Sequence, residues 1–259
     1  MKLVFAFLAA VALAFLALPV AAIFLRVSPD TLVRELGDPV ARDALVVSLE
    51  TSVVAQLLVV SLGTPTAYLL ATRRFRGRSL LLTLVELPLV LPPAVAGIGL
   101  LAAFGRTGLL STSVAFTKTA VVLAVAFVSA PFYVRTAVAA FQAVDATLVA
   151  AARTLGAGPW RVFTRIALPL AAGGLVAGLA LSFARGLGEF GATIMFAGSL
   201  QRVTQTLPLA IYAEFARSFD VALAVGALLV VFSFTLLLAV KWLRFGWTSP
   251  SRFAPSPFA

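Results

Sequence analysis

The 259-residue sequence contains no cysteine and no histidine. Without these residues the chain has no disulfide, no thiolate or imidazole metal ligand, no cysteine nucleophile and no histidine general base. It also lacks a glycine-rich phosphate loop that ends in Gly-Lys followed by Ser or Thr, the usual nucleotide-binding motif of ATPases. We therefore expect no catalytic residue, no metal site and no cofactor, and we expect that the chain is not an enzyme.

Charged residues are also scarce, at 12% of the sequence, whereas 61% of the residues are hydrophobic and the mean hydropathy is +1.07. Soluble domains have about 25% charged and about 45–50% apolar residues. A helix needs about 20 apolar residues to cross a bilayer. The sequence predicts an all-α polytopic membrane protein, a single transmembrane domain over residues 1–259 with about six transmembrane helices. The predicted spans are roughly 3–25, 45–71, 80–104, 119–141, 167–197 and 219–243.

Two of these spans contain helix-breaking residues. The third contains Pro88, Pro92 and Pro93, which should kink it because proline lacks an N–H and clashes with the preceding turn. The fifth is too long and too rich in glycine for one straight helix, so we expect a span to about Leu187 followed by a broken or re-entrant stretch. Non-helical backbone at membrane depth is tolerated only where protein or a water-filled cavity shelters it.

The first span has an alternative interpretation as a signal peptide, because Lys2 precedes an apolar run that ends in Pro19-Val20-Ala21-Ala22. The run is longer than the usual 7–15 residues of a signal core. We therefore expect an uncleaved helix, and the orientation of the following spans is the same in either case.

The formal net charge of +10 is distributed around the hydrophobic runs, a pattern that indicates membrane orientation and no nucleic-acid partner. With both termini in the cytoplasm, twelve lysines and arginines lie inside and seven lie outside, with Arg185 within a span. The inner group is Lys2, Arg73, Arg74, Arg76, Arg78, Arg135, Arg153, Arg161, Arg165, Lys241, Arg244 and Arg252, and the outer group is Arg26, Arg34, Arg42, Arg106, Lys118, Arg202 and Arg217. We assign no role to Glu50 and Glu86, which lie near span ends where snorkelling to the interface accounts for them.

The predicted cytoplasmic loop before the fifth span has the pattern of two short helices. Asp145 or Thr147 would cap the first helix, and Gly156 or Gly158 would end it. Pro159 is suited to the first turn of the second helix. Such a loop is also consistent with an ordinary amphipathic helix at the lipid headgroups.

This loop resembles the coupling loop of ABC importer permeases, which has the pattern Glu-Ala-Ala, three residues, Gly, nine residues, Ile, one residue, Leu-Pro. Ala150 replaces the family's glutamate, so any ion pair or cap of that carboxylate is absent here. The resemblance implies that the loop docks in a groove of a partner ATPase. The residues assigned to coupling are Ala150, Ala151, Ala152, Arg153, Gly156, Ile166, Leu168 and Pro169.

The stretch from Arg185 to Ser199 resembles molybdate importer permeases, and its Glu-Phe-Gly core also resembles sulfate importer permeases. The resemblance implies import of molybdate, with tungstate as a second cargo and sulfate as the alternative. Backbone N–H groups and hydroxyls in this stretch would supply the weak donors that an oxyanion pathway needs. The candidate pathway residues are Gly188, Gly191, Thr193, Gly198 and Ser199.

A structural interpretation of the same stretch stays open. The glycines would then allow close helix packing, and Arg185 and Glu189 would neutralise each other at i,i+4 spacing. An ion-coupled secondary transporter and a membrane-embedded enzyme are the rival functions, and neither accounts for the coupling-loop pattern. The family resemblance implies an inner-membrane location and three protein partners. These partners are an ATP-binding subunit, an extracytoplasmic substrate-binding protein and a second permease subunit in a homodimer, all in contact with membrane lipid.

Overall fold

The computed structural model describes residues 1–112 and 114–247, and these residues form helices without a β-strand. Arg252 and the side chains of Lys241 and Arg244, counted above among the inner charges, lie outside the described part of the chain. The helices are α1 (Lys2–Arg26), α2 (Pro29–Leu36), α3 (Pro39–Thr72), α4 (Arg78–Val90), α5 (Pro93–Phe104), α6 (Lys118–Gln142), α7 (Ala146–Thr154), α8 (Pro159–Val162), α9 (Leu168–Leu187), α10 (Gly191–Ala197), α11 (Leu207–Phe215) and α12 (Phe219–Trp247). A π-helical turn, Phe163–Ala167, joins α8 to α9.

Four helical segments of the described chain are long and apolar enough to cross a membrane: α1, α3, α6 and the continuous run Pro159–Leu187. The pair α4 and α5 brings the number to five if it forms one bent span. The part Phe219–Thr235 of α12 is apolar but shorter. The chain is therefore an all-α polytopic membrane protein, and the count of six spans stays a prediction.

The predicted third span, 80–104, is not one kinked helix. The chain bends by 115° between α4 and α5, which makes them a broken span or a re-entrant pair. Leu91 and Pro92 between them have extended backbone, with ψ of 131° and 133°. The cause is the double proline, because a residue that precedes proline is disfavoured in the helical region. Pro88 lies inside α4 and does not end it.

The predicted break in the fifth span is present. Helix α9 ends at Leu187, and α10 begins at Gly191 after a short non-helical stretch. A Cβ placed on Gly97 of α5 would lie 2.6 Å from the Ala192 carbonyl oxygen of α10. The two broken helices therefore pack against each other with backbone close to backbone, a contact that two glycine-containing helices allow.

Helix α6 is the centre of the bundle. In α6, 61% of the most apolar 18-residue segment is buried, whereas α1 has no buried residue. The Tyr133 hydroxyl of α6 and the Thr64 hydroxyl of α3 are 2.6 Å apart. One turn along α6, a Cβ on Gly178 of α9 would lie 3.0 Å from the Thr136 Cβ, and a Cβ on Gly63 of α3 would lie 3.0 Å from the Tyr133 ring. Small residues thus bring α3 and α9 close to α6.

Candidate functional site

The cytoplasmic loop predicted from the sequence forms α7 and α8. The Thr147 N–H donates to the Asp145 carboxylate at 2.8 Å, so Asp145 is the N-cap of α7. This hydrogen bond lowers the pKa of the Asp145 carboxyl, because it stabilises the charged form. Gly156 ends α7 with φ of +82°, in the left-handed region that glycine adopts at helix C-termini. Gly158, with φ of −67°, instead precedes Pro159 at the start of α8.

The residues assigned to coupling form a largely exposed surface. Ala150, Ala151, Arg153, Gly156 and Pro169 are exposed, whereas the rest of the set, Ala152, Ile166 and Leu168, is half-buried. Two large apolar side chains beside them are also exposed, Leu155 at 88% and Trp160 at 75%. Apolar side chains clustered at a surface indicate contact with another protein or with lipid, so this geometry fits both interpretations of the loop.

A row of aromatic rings connects this surface to the bundle. The ring of Trp160 lies 5.7 Å from that of Phe163, and Phe163 lies 4.7 Å from Tyr68 of α3. Tyr68 in turn lies 5.3 Å from Phe141 of α6. Because the π-helical turn continues directly into α9, a displacement of α8 would move α9 together with it. The sequence analysis did not identify this row, since its members are far apart in sequence.

A cavity of about 360 Å³ lies between α7 and the ends of α3 and α6. Its lining includes Tyr68, Phe141, Val149, Ala150 and Arg153. Helix α7 is therefore connected to the bundle through its ends and not through a packed face, which leaves most of its surface accessible to a partner.

The last turn of α9 and the stretch after it contain the predicted ion pair. A terminal nitrogen of Arg185 lies 2.8 Å from one carboxylate oxygen of Glu189, whose side chain is 1% exposed. The other carboxylate oxygen accepts the Ala192 N–H at 2.8 Å. Glu189 thus neutralises Arg185 and also caps α10, as an anionic side chain at a helix N-terminus does. The prediction of a neutralised pair is confirmed.

The glycines of this stretch do not present the free donors that we expected. The Gly188 N–H donates to the Gly186 carbonyl, and the Gly198 N–H donates to the Ile194 carbonyl at 3.2 Å. A Cβ on Gly191 would lie 2.6 Å from the Pro93 Cβ. Gly191 therefore serves close packing, and two of the three expected backbone donors are already satisfied.

The hydroxyls of the stretch lie in different environments. Thr193 is completely buried, and its hydroxyl has no hydrogen-bond partner in the part of the chain that the structure describes. Ser199 is half-buried and accepts a hydrogen bond from the Gln205 side chain at 3.3 Å. The structure thus does not bring Thr193 and Ser199 to one open surface.

Buried polar residues outside the predicted set cross the bundle. Gln56 of α3 donates to the Ser129 hydroxyl of α6 at 3.2 Å, and Ser182 of α9 donates to the Ser129 carbonyl at 3.0 Å. Ser48 of α3 accepts the Leu207 N–H at 2.8 Å and caps α11. These contacts could have been predicted from the sequence, because polar side chains inside apolar helices usually form hydrogen bonds with each other across an interface.

Two further ion pairs join α6 to its neighbours. Arg135 lies 3.1 Å from Glu86 of α4, and Lys118 lies 2.6 Å from Glu50 of α3. Snorkelling, our explanation for Glu50 and Glu86, is therefore insufficient, because each carboxylate has a specific cationic partner. The pairs join residues 49 and 68 positions apart, so no local pattern shows them.

The chain matches the family described as "Binding-protein-dependent transport system inner membrane component" over residues 63–247. It is 44% identical to the molybdenum transport system permease protein ModB of Mycobacterium tuberculosis, over 87% of this chain and 88% of that protein. It is 36% identical to the molybdate/tungstate transport system permease protein WtpB of Thermococcus kodakarensis, over 92% of this chain and 94% of that protein.

The fold is similar to that of a chain in the crystal structure of a bacterial alginate ABC transporter in complex with a periplasmic protein that holds an alginate pentasaccharide. The TM-score is 0.73 at 17% identity, and the match covers 93% of each chain. At this identity the likeness concerns the fold alone.

Proposed function

The chain belongs to the family of binding-protein-dependent transport system inner membrane components, and on this basis we propose that it is the permease subunit of an ATP-driven importer of molybdate, with tungstate as a second cargo. The observation that carries the cargo assignment is the 44% identity, over 87% of the chain, to a permease named for molybdenum transport. ATP hydrolysis then takes place in a separate subunit, and this chain supplies the membrane passage.

Helix α7 and the start of α8 form the docking surface for the ATPase in this proposal. Their exposed apolar side chains, Leu155 and Trp160, suit a groove on a protein partner. Movement of the docked loop passes through the aromatic row and the π-helical turn into α9 and α10. The contact between α5 and α10 is then the element that opens and closes, since both helices are broken spans.

The oxyanion passes beside this contact. Of the candidate pathway residues, Ser199 is half-buried and Thr193 has a buried hydroxyl without a partner in the described chain, so a movement of α10 would expose Thr193 as a new donor. Gly188, Gly191 and Gly198 contribute backbone flexibility and close packing to that movement. Weak donors suit a pathway, because the cargo must also be released.

The proposal includes an inner-membrane location, cytoplasmic termini, a homodimer of this chain and an extracytoplasmic substrate-binding protein. Because the chain has no cysteine, single cysteines can report its orientation. Cysteine in place of Gly77 should resist a membrane-impermeant thiol reagent in intact cells, and cysteine in place of Thr107 should react. Labelling at position 77 but not at position 107 would reverse the orientation and contradict the docking role of α7.

The cargo is tested in vesicles that contain this permease and its ATPase. A molybdate-loaded binding protein should stimulate ATP hydrolysis and molybdate uptake, and a tungstate-loaded protein should stimulate about equally, since the two dianions are close in size. A sulfate-loaded protein from a sulfate importer should not stimulate. If only sulfate supports uptake, the molybdate assignment is wrong, whereas the assignment as an importer permease survives.

A further inference from the structure

The ion pair between Glu86 and Arg135 lies within the predicted spans 80–104 and 119–141, towards their cytoplasmic ends, although the sequence analysis counted Arg135 among the inner charges. Arg135 is seven residues before Gln142, the end of α6, and Glu86 is eight residues after Arg78, the start of α4. At 1.5 Å per residue these positions lie about 10–12 Å along their helices, within the inner half of a hydrocarbon core about 30 Å thick. The two side chains are nevertheless 59% and 44% exposed.

The exposed side of the pair is more polar than the leucine face of α4. The exposed leucines Leu80, Leu81, Leu84 and Leu87 are about 100–160° around the helix from Glu86 at 100° per residue. The exposed residues within about 60° of Glu86 are Ser79, Thr83 and Val90. On α6 the exposed strip that contains Arg135 continues through Ala139 to Gln142. A small residue and two polar residues thus line this strip, whereas large apolar side chains cover the exposed faces of α1.

The energetics also disfavour lipid on this face. A charged side chain is costly in hydrocarbon, and ionisable residues in spans pair with one another and face a protein interior or a water-filled cavity. The contact joins the Arg135 Nε to a Glu86 carboxylate oxygen at 3.1 Å, and the guanidinium carries four further N–H donors besides this one. Water or a passing anion satisfies these donors, and hydrocarbon does not.

We infer that Arg135 and Glu86 line the cytoplasmic half of the translocation pathway and that Arg135 is a transient binding residue for the oxyanion. A guanidinium presents paired N–H donors to two oxygens of a tetrahedral anion. Glu86, as a like charge beside the cargo, keeps that binding weak enough for release to the cytoplasm. This inference rests on the proposed function, since it names a residue that contacts the proposed cargo.

The test compares two ion pairs of α6 in reconstituted vesicles. Arg135→Gln should lower molybdate uptake about tenfold, the effect of losing one charge-assisted hydrogen bond, while stimulation of ATP hydrolysis by the loaded binding protein persists. Glu86→Gln should slow uptake and make it sensitive to molybdate inside the vesicle, because the anion is released more slowly. The matched control is Lys118→Gln, which breaks the pair with Glu50 near the other end of α6, and uptake should be unchanged. Equal effects of Arg135→Gln and Lys118→Gln would overturn the inference.

A second measurement is independent of the cargo. Cysteine in place of Ala139, one turn from Arg135 on the exposed strip, should react with a charged, water-soluble methanethiosulfonate from the cytoplasmic side of the assembled transporter. Cysteine in place of Leu84, on the leucine face of α4, should not react. Protection of position 139 would show that lipid or a second subunit covers this strip, and the inference fails. If the wild-type transporter imports a different anion, the proposed cargo is wrong, while the thiol result still decides whether the strip faces water.

Discussion

Gly156 in the loop around α7 and the glycines in the contact of α5 with α10 serve different purposes. A Cβ on Gly156 would meet nothing within 4 Å, and the residue is needed for its φ of +82°. Gly191 and Gly97 are needed for space, because a Cβ on either would approach another atom to 2.6 Å. Gly156 thus permits a backbone conformation, as does Gly198 after α10 with its φ of +68°, whereas Gly191 and Gly97 permit contact between helices.

The carboxylates that cap the helices of the two regions differ in their exposure to solvent. Asp145 caps α7 at an exposed position, whereas Glu189 caps α10 with a side chain that is 1% exposed and paired with Arg185. Substitutions around α10 should therefore affect the stability of the whole chain. Substitutions around α7 should affect mainly what binds there, and the following predictions test that division.

The largest effect is expected at the buried ion pair. Arg185→Met leaves the Glu189 carboxylate without its cation, and breaking a buried pair costs about 3–5 kcal/mol. We expect the lower end, about 3 kcal/mol, because Arg185 is itself 29% exposed. The measurement is the free energy of unfolding in detergent micelles. The double variant Arg185→Met, Glu189→Gln should recover much of the loss, and a double variant as unstable as the single one would contradict a charge-pairing role.

The next largest effect concerns the contact of α5 with α10. Gly97→Ala should lower the free energy of unfolding by about 1–3 kcal/mol, because the added methyl group forces packed backbones apart. Gly99→Ala, on the same helix with nothing within 4 Å of the new Cβ, is the matched control. It should be neutral or slightly stabilising, since alanine is the better helix former. Equal destabilisation by both variants would rule out packing as the cause.

A smaller effect on stability, but a visible one on binding, is expected at Gly156. Gly156→Leu imposes about 1–2 kcal/mol of left-handed backbone strain on an L-residue and adds bulk to the proposed docking surface. The chain should insert normally, and co-purification of the ATPase should fall. Gly158→Ala is the control, because φ there is −67° and the new methyl group meets nothing within 4 Å. Normal ATPase co-purification and normal transport with Gly156→Leu would contradict the docking role.

The smallest effect is a pH dependence of α7. The Thr147 N–H lowers the pKa of Asp145 below its ordinary value of 3.8. A lowered folded-state pKa means that the cap stabilises α7 above pH 3.8 and that this contribution is lost as the pH falls through the folded-state pKa. Hydrogen-exchange protection of residues 146–154 should therefore be constant from neutral pH to about pH 5 and fall below pH 3.8. Asp145→Asn, which keeps the acceptor oxygen without the charge, should remove the pH dependence.

Much of the local structure follows from the sequence. The break after Leu187, the cap at Asp145, the turn at Gly156 and the pairing of Arg185 with Glu189 all depend on residues at most four positions apart or on single residues with strong backbone preferences. The 115° bend between α4 and α5 is larger than the kink that we expected. The double proline shows where the helix breaks, but it does not show the direction of the helix that follows. Helices α2 and α11 were not predicted, as both are too short to span.

The amino-acid sequence by itself determined the class of protein, the positions of the apolar helices and the coupling-loop pattern, since hydropathy and helix-ending residues act locally. Tertiary structure alone decided which partner each membrane carboxylate has, which glycines are enclosed and which donors are free. Glu86 meets Arg135, and Gly191 meets Pro93, through helices far apart in the chain. Such contacts depend on how helices pack, and packing is a property of two surfaces that no single stretch of sequence contains.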